Sequence, residues 1–207
     1  VLITGATRTI GRKYAQKLYY DSRIKNIIAC AYEPKPYYFN DFDEDRFKYF
    51  NLNLLRSRDL TNLFESDEFE KCEIDTVIHL ALQGDPYQYK KITHELHISG
   101  TENILKECLK RPKIKKFIFL SSSVVYKLSS VTDSIADEAS PLNFDGSSNP
   151  IIKDYVNAEL LCRAKMDSPT LKIIVLRPSG MIGRNIHSDL SAFFDSLLCI
   201  TPMGFDP

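Results

Sequence analysis

The chain lacks an excess of charge of either sign: 27 Lys and Arg balance 27 Asp and Glu among its 207 residues. A nucleic-acid partner usually shows as a basic excess, so none is expected. It also lacks an apolar run of membrane-spanning length, and no membrane association is expected. The five cysteines, Cys30, Cys72, Cys108, Cys162 and Cys199, never stand in C-x-x-C spacing. Scattered among apolar neighbours and odd in number, they read as small buried hydrophobes in a reducing, cytoplasmic compartment. His79, His94, His97 and His187 form neither an H-x-x-x-H nor an H-E-x-x-H set, so no metal site is expected. Internal repeats and low-complexity tracts are missing as well. A starting Met is missing too: the chain opens inside a strand with Val1, and Met203-Gly-Phe-Asp-Pro207 does not resemble a natural stop. A fragment is therefore expected, long enough for one domain with a sizeable core or for one domain plus part of another.

What is present is organised around Val1-Leu-Ile-Thr-Gly-Ala-Thr-Arg-Thr-Ile-Gly-Arg12. Apolar and β-branched residues run straight into Gly5, and a helical pattern begins by Ile10. Strand, tight glycine turn and helix N-terminus is an arrangement that binds a pyrophosphate. The glycines allow a sharp turn and a close phosphate, and the helix offers N–H groups to the anion. The G-x-x-G-x-x-G pattern is incomplete, however: Gly5 and Gly11 are there, but the middle position holds Arg8 or Thr9. A plain strand-to-helix turn without a ligand stays open at this point.

Strands are expected at Val1–Thr4, Ile27–Ala31, Phe47–Leu54, Asp75–Ala81, Lys116–Ser121 and Leu171–Leu176. Helices are expected at Ile10–Tyr20, around Leu60–Phe64, at Tyr89–Lys110 and at Ile151–Lys165. In the first helix Ile10, Tyr14, Ala15 and Leu18 should face inward. In the long one Leu96, Gly100, Ile104, Leu105 and Cys108 should share a side. Tyr32–Asp45, the Gly84-Asp-Pro86 turn and Lys127–Pro150 read as loops. Strands that alternate with helices and carry continuous apolar runs are covered on both faces. The fold class is therefore α/β: a doubly wound parallel sheet of the Rossmann type in three αβα layers. Its ligand crevice should lie beyond the carboxyl ends of strands one and four, with Gly5–Gly11 beside Ala81–Gly84.

Five segments in order then resemble the extended short-chain dehydrogenase/reductase family, the NAD(P)-dependent epimerase/dehydratases. They are T-G-A-T-R-T-I-G (Thr4–Gly11), D-T-V-I-H-L-A (Asp75–Ala81), G-T-E-N-I-L (Gly100–Leu105), F-L-S-S-S-V-V-Y (Phe119–Tyr126) and L-R-P-S-G-M-I-G (Leu176–Gly183). The resemblance implies an NAD(P)-binding Rossmann domain over residues 1–183. It also implies the start of a mostly C-terminal substrate-binding region at 184–207. Gly5, Thr7, Arg8, Ile10, Gly11, Asn53, Leu54, Leu80, Ala81, Leu82 and Pro178 then match its cofactor-binding positions. Arg8 resembles the T-G-x-x-R of NADP-preferring relatives, where a guanidinium pairs a 2′-phosphate. The family's ribose-binding acid falls at Ala31, with Glu33 two residues on. Arg8 and Ala31 together lean the cofactor expectation from NAD towards NADP.

Chemistry in the family rests on Ser or Thr, Tyr and Lys: a phenol moves the substrate proton, and an ammonium lowers its pKa and holds the nicotinamide ribose. Ser122 matches the serine, with Ser121 and Ser123 beside it. The Y-x-x-x-K pair does not survive. Placing Tyr155 as the tyrosine puts Glu159 at the lysine. The better register matches Pro150, Asp154, Ala158 and Glu159, and puts Ile151 at the tyrosine and Tyr155 at the lysine. Lys153 would project from another helix face. His97 stands where the family has Asn. Ser122 and Tyr155 are the catalytic candidates, with Ser123 and Tyr126 behind them. The resemblance thus implies a dinucleotide and a small-molecule, nucleotide-sugar-like substrate as partners, and a homodimer through the helices after strands four and five. Three readings stay open: an epimerase/dehydratase or oxidoreductase with rearranged catalytic groups, a non-catalytic dinucleotide-binding sensor or scaffold, and a relic that binds no dinucleotide.

Overall fold

The computed structural model describes residues 1–82, 90–127, 135–145 and 149–180. Its centre is a six-stranded sheet in the order β3-β2-β1-β4-β5-β6. The strands are β1 (Leu2–Thr4), β2 (Ile27–Ala31), β3 (Phe47–Asn51), β4 (Thr76–His79), β5 (Lys116–Leu120) and β6 (Lys172–Leu176), all paired in parallel. Every residue of β1 and β2 is buried, as strands covered on both faces require. Side-chain alternation splits these runs between two cores. Ile3, Ile27 and Ala29 join Ala15, Phe39, Phe42 and Phe47 on the face covered by α1 (Thr9–Tyr19) and a short turn of helix at Tyr37–Phe39. Leu2, Ile28, Cys30 and Val77 join the core on the other face. There lie α2 (Ser57–Phe64), α3 (Asp67–Lys71), α4 (Lys91–Glu95), α5 (Thr101–Leu109) and α6 (Pro150–Arg163). Strand order reverses between β1 and β4, which places the crevice where the sequence put it.

Several local expectations need correction. Strand three ends at Asn51 rather than Leu54, because Asn53 turns the chain: its side-chain oxygen accepts the Leu55 N–H at 3.0 Å. The long helix is one helical run with a π turn, Leu96–Gly100, between α4 and α5. Tyr14 is 42% exposed, and the inward stripe of α1 turns instead towards Ala15, Leu18 and Tyr19, whose ring stacks on Phe42 at 3.9 Å. Leu96, Gly100, Ile104, Leu105 and Cys108 do share a packed side. The Gly84–Pro86 turn and everything from residue 181 onward lie outside the described residues.

Candidate dinucleotide site and catalytic positions

Two glycines fix the turn between β1 and α1. Gly5 has φ +69°, and a Cβ there would stand 2.7 Å from the Ala81 Cα and 2.8 Å from the Leu80 oxygen. A Cβ on Gly11 would stand 1.9 Å from the Gly5 oxygen. Glycine is therefore required for the end of β1, the start of α1 and the chain leaving β4 to close on one another. Arg8, the N-cap residue of α1, makes no side-chain cap, and the first turn carries no acidic residue. Its N–H dipoles are left to an outside anion. The cradle fits a dinucleotide pyrophosphate. Behind it, buried His79 bonds Thr4 Oγ1 at 2.7 Å and Thr101 Oγ1 at 3.0 Å, tying β1 and β4 to α5. Burial, helped by nearby His97, lowers the His79 pKa to about 3, so the ring is neutral.

The chain past β2 bends back over this cradle. Thr7 Oγ1 donates to Glu33 Oε2 at 2.8 Å, and Arg8 Nε donates to Oε1 at 3.3 Å. Partial burial opposes the charge on Glu33, but the Thr7 hydroxyl and the Arg8 guanidinium outweigh it and hold the carboxyl below the usual carboxylate range. The Tyr49 hydroxyl donates to the Glu33 carbonyl, and the Tyr38 hydroxyl to the Thr7 carbonyl at 2.7 Å. The Arg12 guanidinium lies 3.9 Å over the Tyr38 ring. Glu33, two residues past Ala31, thus stands beside the cradle with Arg8 paired to it. The Asn53 amide oxygen serves its own turn, while the Leu54 carbonyl accepts from Asn103 at 3.0 Å. Leu80 packs against one core, Ala81 and Leu82 against the other; Ile10 and Pro178 are half-buried.

At the catalytic positions Ser122 caps the short helical turn Ser123–Val125, its Oγ 3.4 Å from the Val124 nitrogen. Ser121 is drawn inward: its hydroxyl donates to buried Glu159 at 2.8 Å. Glu159 also accepts from Arg163 at 2.8 Å and from Arg177 at 3.1 Å. The Arg177 guanidinium then lies 4.8 Å over the Tyr126 ring. Ile151, expected at the tyrosine position, is 6% exposed. Tyr155, expected at the lysine position, packs against Val125, Leu142 and Val156, and burial pushes its phenol up to about 12. Lys153 lines a small cleft with Asn143, Phe144, Val156 and Asn157. What the sequence did not reveal is a cluster beside Tyr155. Asp154, 2% exposed, accepts from His94 Nδ1 at 2.7 Å, and buried His97 Nδ1 lies 3.8 Å from its second oxygen. The His97 ring is 5.5 Å from that of Tyr155. Asp154 was visible as a matching position; its contact 60 residues away was not.

Fold and cradle together place the chain among doubly wound α/β proteins with a glycine turn shaped for a pyrophosphate. The model of the NAD dependent epimerase/dehydratase family matches residues 1–199, and the chain belongs to that family. Over 199 residues it is 30% identical to the dTDP-D-glucose 4,6-dehydratase of Dictyostelium discoideum, an alignment covering 88% of the chain and 44% of that relative. Among solved structures, the UDP-glucuronic acid 4-epimerase of Bacillus cereus in complex with NAD matches with TM-score 0.66 and 23% identity, covering 89% of this chain and 58% of that one. The dTDP-glucose 4,6-dehydratase of Bacillus anthracis in complex with NAD gives 0.67 and 18%, covering 85% and 53%. The chain thus spans about half the length of the proteins it matches. Among the described residues, no helix is long and apolar enough to cross a membrane, and no group of three His, Cys, Asp or Glu could hold a metal.

Proposed function

We propose that this chain holds NAD, in preference to NADP, and forms the dinucleotide-binding part of an epimerase/dehydratase that takes a nucleotide-sugar-like substrate without the usual Tyr-x-x-x-Lys pair. The observation that carries the cofactor reading is Glu33, anchored by Thr7 and Arg8 beside the Gly5–Gly11 cradle. A fixed carboxylate there accepts the two adenosine ribose hydroxyls and repels a 2′-phosphate. The lean towards NADP from Arg8 and Ala31 is accordingly reversed. Gly5, Gly11 and the first N–H groups of α1 take the pyrophosphate. Thr7, Arg8, Ile10, Asn53, Leu54, Leu80, Ala81, Leu82 and Pro178 line the remainder. Bound NAD supplies a hydride acceptor; the chain's own residues orient the substrate and handle its proton.

Loss of the pair is supported by buried Ile151 and by Tyr155, a neutral phenol where an ammonium belongs. Taken alone, that observation equally favours a non-catalytic NAD-binding sensor or scaffold. The reading keeps a Rossmann domain over 1–183, a substrate region opening at 184–207, a homodimer and a cytoplasmic location. The buried free thiols of Cys30, Cys72, Cys108 and Cys162 suit a reducing compartment. Calorimetric titration of the full-length protein with NAD⁺, NADH, NADP⁺ and NADPH tests it. NAD(H) should bind at least about 10-fold more tightly than NADP(H). No binding at millimolar concentrations of any of the four would remove the reading.

A further inference from the structure

With Ile151 and Tyr155 at the family's proton-transfer positions, the site needs another group if it is to move a substrate proton. Helices that follow parallel strands begin at the carboxyl edge of the sheet, where the crevice lies. Here α4 opens after β4, and α6 opens after the segment that follows β5. His94 stands in the first turn of α4 and Asp154 in the second turn of α6. Both are therefore at the crevice end of the sheet, as is Ser122 just beyond β5. On α6, Asp154 is three residues from Ile151, about 60° away around the helix. The pair thus shares the crevice end of α4 and α6 with Ile151.

We propose that His94, oriented by Asp154, is the acid–base group of this site; the proposal rests on the NAD-binding reading above. The carboxylate of Asp154 can only accept, so its 2.7 Å contact fixes the proton on His94 Nδ1 and leaves the lone pair on Nε2. The two partners differ in exposure as that role requires: the Asp154 side chain is 3% exposed and the His94 side chain 52%. Behind them His97 closes the same carboxylate off from Tyr155, from a π turn that packs against α6. π turns recur at functional sites because they re-aim side chains. On the same helix Lys91 and Glu95 form an ion pair at 3.8 Å. In the step, the substrate O–H bond breaks and its proton goes to Nε2. The oxygen's electron pair closes the carbonyl as the carbinol C–H bond breaks, and bound NAD⁺ would supply the hydride acceptor. The alcohol is oxidised and NAD⁺ reduced, with no further reactant.

The experiment uses the full-length protein and two variants, His94→Gln and Asp154→Asn. Calorimetry first measures NAD⁺ binding, which His94→Gln should leave within about 2-fold. Proton NMR then follows the imidazole signals; four histidines fall within the 207 residues, and the signal lost in His94→Gln is that of His94. Adding NAD⁺ should shift this signal, and Asp154→Asn should shift it in the apoprotein. Finally, absorbance at about 340 nm follows NADH formed with dTDP-glucose or UDP-glucose as probes. His94→Gln should lower that rate by about 100-fold or more and abolish the acid limb of its pH profile. NAD⁺ that binds yet leaves the His94 signal unmoved overturns the proposal and leaves the cofactor reading standing, even where neither sugar is oxidised. A His94→Gln rate within about 3-fold of wild type, with its acid limb intact, also overturns it and leaves a helix-to-helix clasp. Absence of NAD⁺ binding removes both readings together.

Discussion

Replacing Glu33 by Ala should invert the cofactor preference, and the size of the change follows from its surroundings. A 2′-phosphate carries about −1.5 to −2 charge at neutral pH. Set about 4 Å from the Glu33 carboxylate, each unit of that charge is repelled by about 1 kcal/mol in water and about 4 kcal/mol at a partly shielded surface. With 42% of its side chain exposed, Glu33 lies towards the lower figure. About 2 kcal/mol is then a fair expectation, roughly 30-fold in Kd. The same carboxylate offers NAD charge-assisted hydrogen bonds contributing about 1.5–3 kcal/mol. Glu33→Ala should therefore weaken NAD⁺ about 10- to 100-fold, tighten NADP⁺ about 10-fold, and leave Arg8 for the 2′-phosphate. Glu33→Gln removes the charge but keeps an acceptor for Thr7, so it should relieve the repulsion with less effect on NAD⁺. Calorimetry at fixed ionic strength measures both affinities, and a melting curve checks that the cradle still folds. Equal binding of NADP⁺ and NAD⁺ by the wild type, or an equal loss of both in folded Glu33→Ala, would refute the assignment.

Three further outcomes test the frame around the site. Gly11→Ala forces a methyl against the Gly5 carbonyl, which is backbone and cannot swing aside; a cost of about 3 kcal/mol, seen as a fall of about 6–12 °C in Tm, is expected. Glu159→Gln leaves Arg163 and Arg177 beside a buried neutral amide, and urea unfolding should show a loss of about 3–5 kcal/mol. His79 titrates near 6.5 when unfolded but near 3 in the fold. Between those values the unfolded chain binds the extra proton, so this group's stabilisation is complete above about pH 6.5 and declines on acidification towards pH 3. The slope should be about 1.4 kcal/mol per pH unit within that window. Urea midpoints from pH 7 to 5 should fall less steeply in His79→Gln; an unchanged slope would mean that the ring is protonated in the native state.

The sheet was legible because its signals are local. A strand covered on both faces must be apolar throughout, and Ile27–Ala31 reads that way before any partner is known. Gly5 and Gly11 were legible for a related reason: a backbone that admits no Cβ leaves glycine in the sequence. Tyr14 misled because helical spacing counts an aromatic ring as inward, although its phenol is content in water. The sequence placed Glu33 two residues past Ala31 but could not show what it touches. Thr7 and Arg8 hold it over the turn. Spacing cannot show that, since it depends on where the β1–α1 loop puts a hydroxyl.

The catalytic question divides along the same line. On aligned letters alone, Ile151 and Tyr155 match the family's Tyr and Lys positions, an expectation that suggests an inactive relative. Whether acid–base chemistry has gone depends on what the two packed helices place side by side. A buried carboxylate that merely fastened α4 to α6 would be served as well by Asn and an amide partner. Asp154 instead faces two imidazoles, one buried and one half in solvent, at the crevice end of the sheet. A low-exposure carboxylate that fixes the tautomer of an accessible imidazole is how proteins set a histidine to take a proton. Loss of the Tyr–Lys pair, as proposed, therefore argues against Tyr–Lys chemistry and carries no weight against proton transfer itself. The pH profile of His94→Gln separates those two statements.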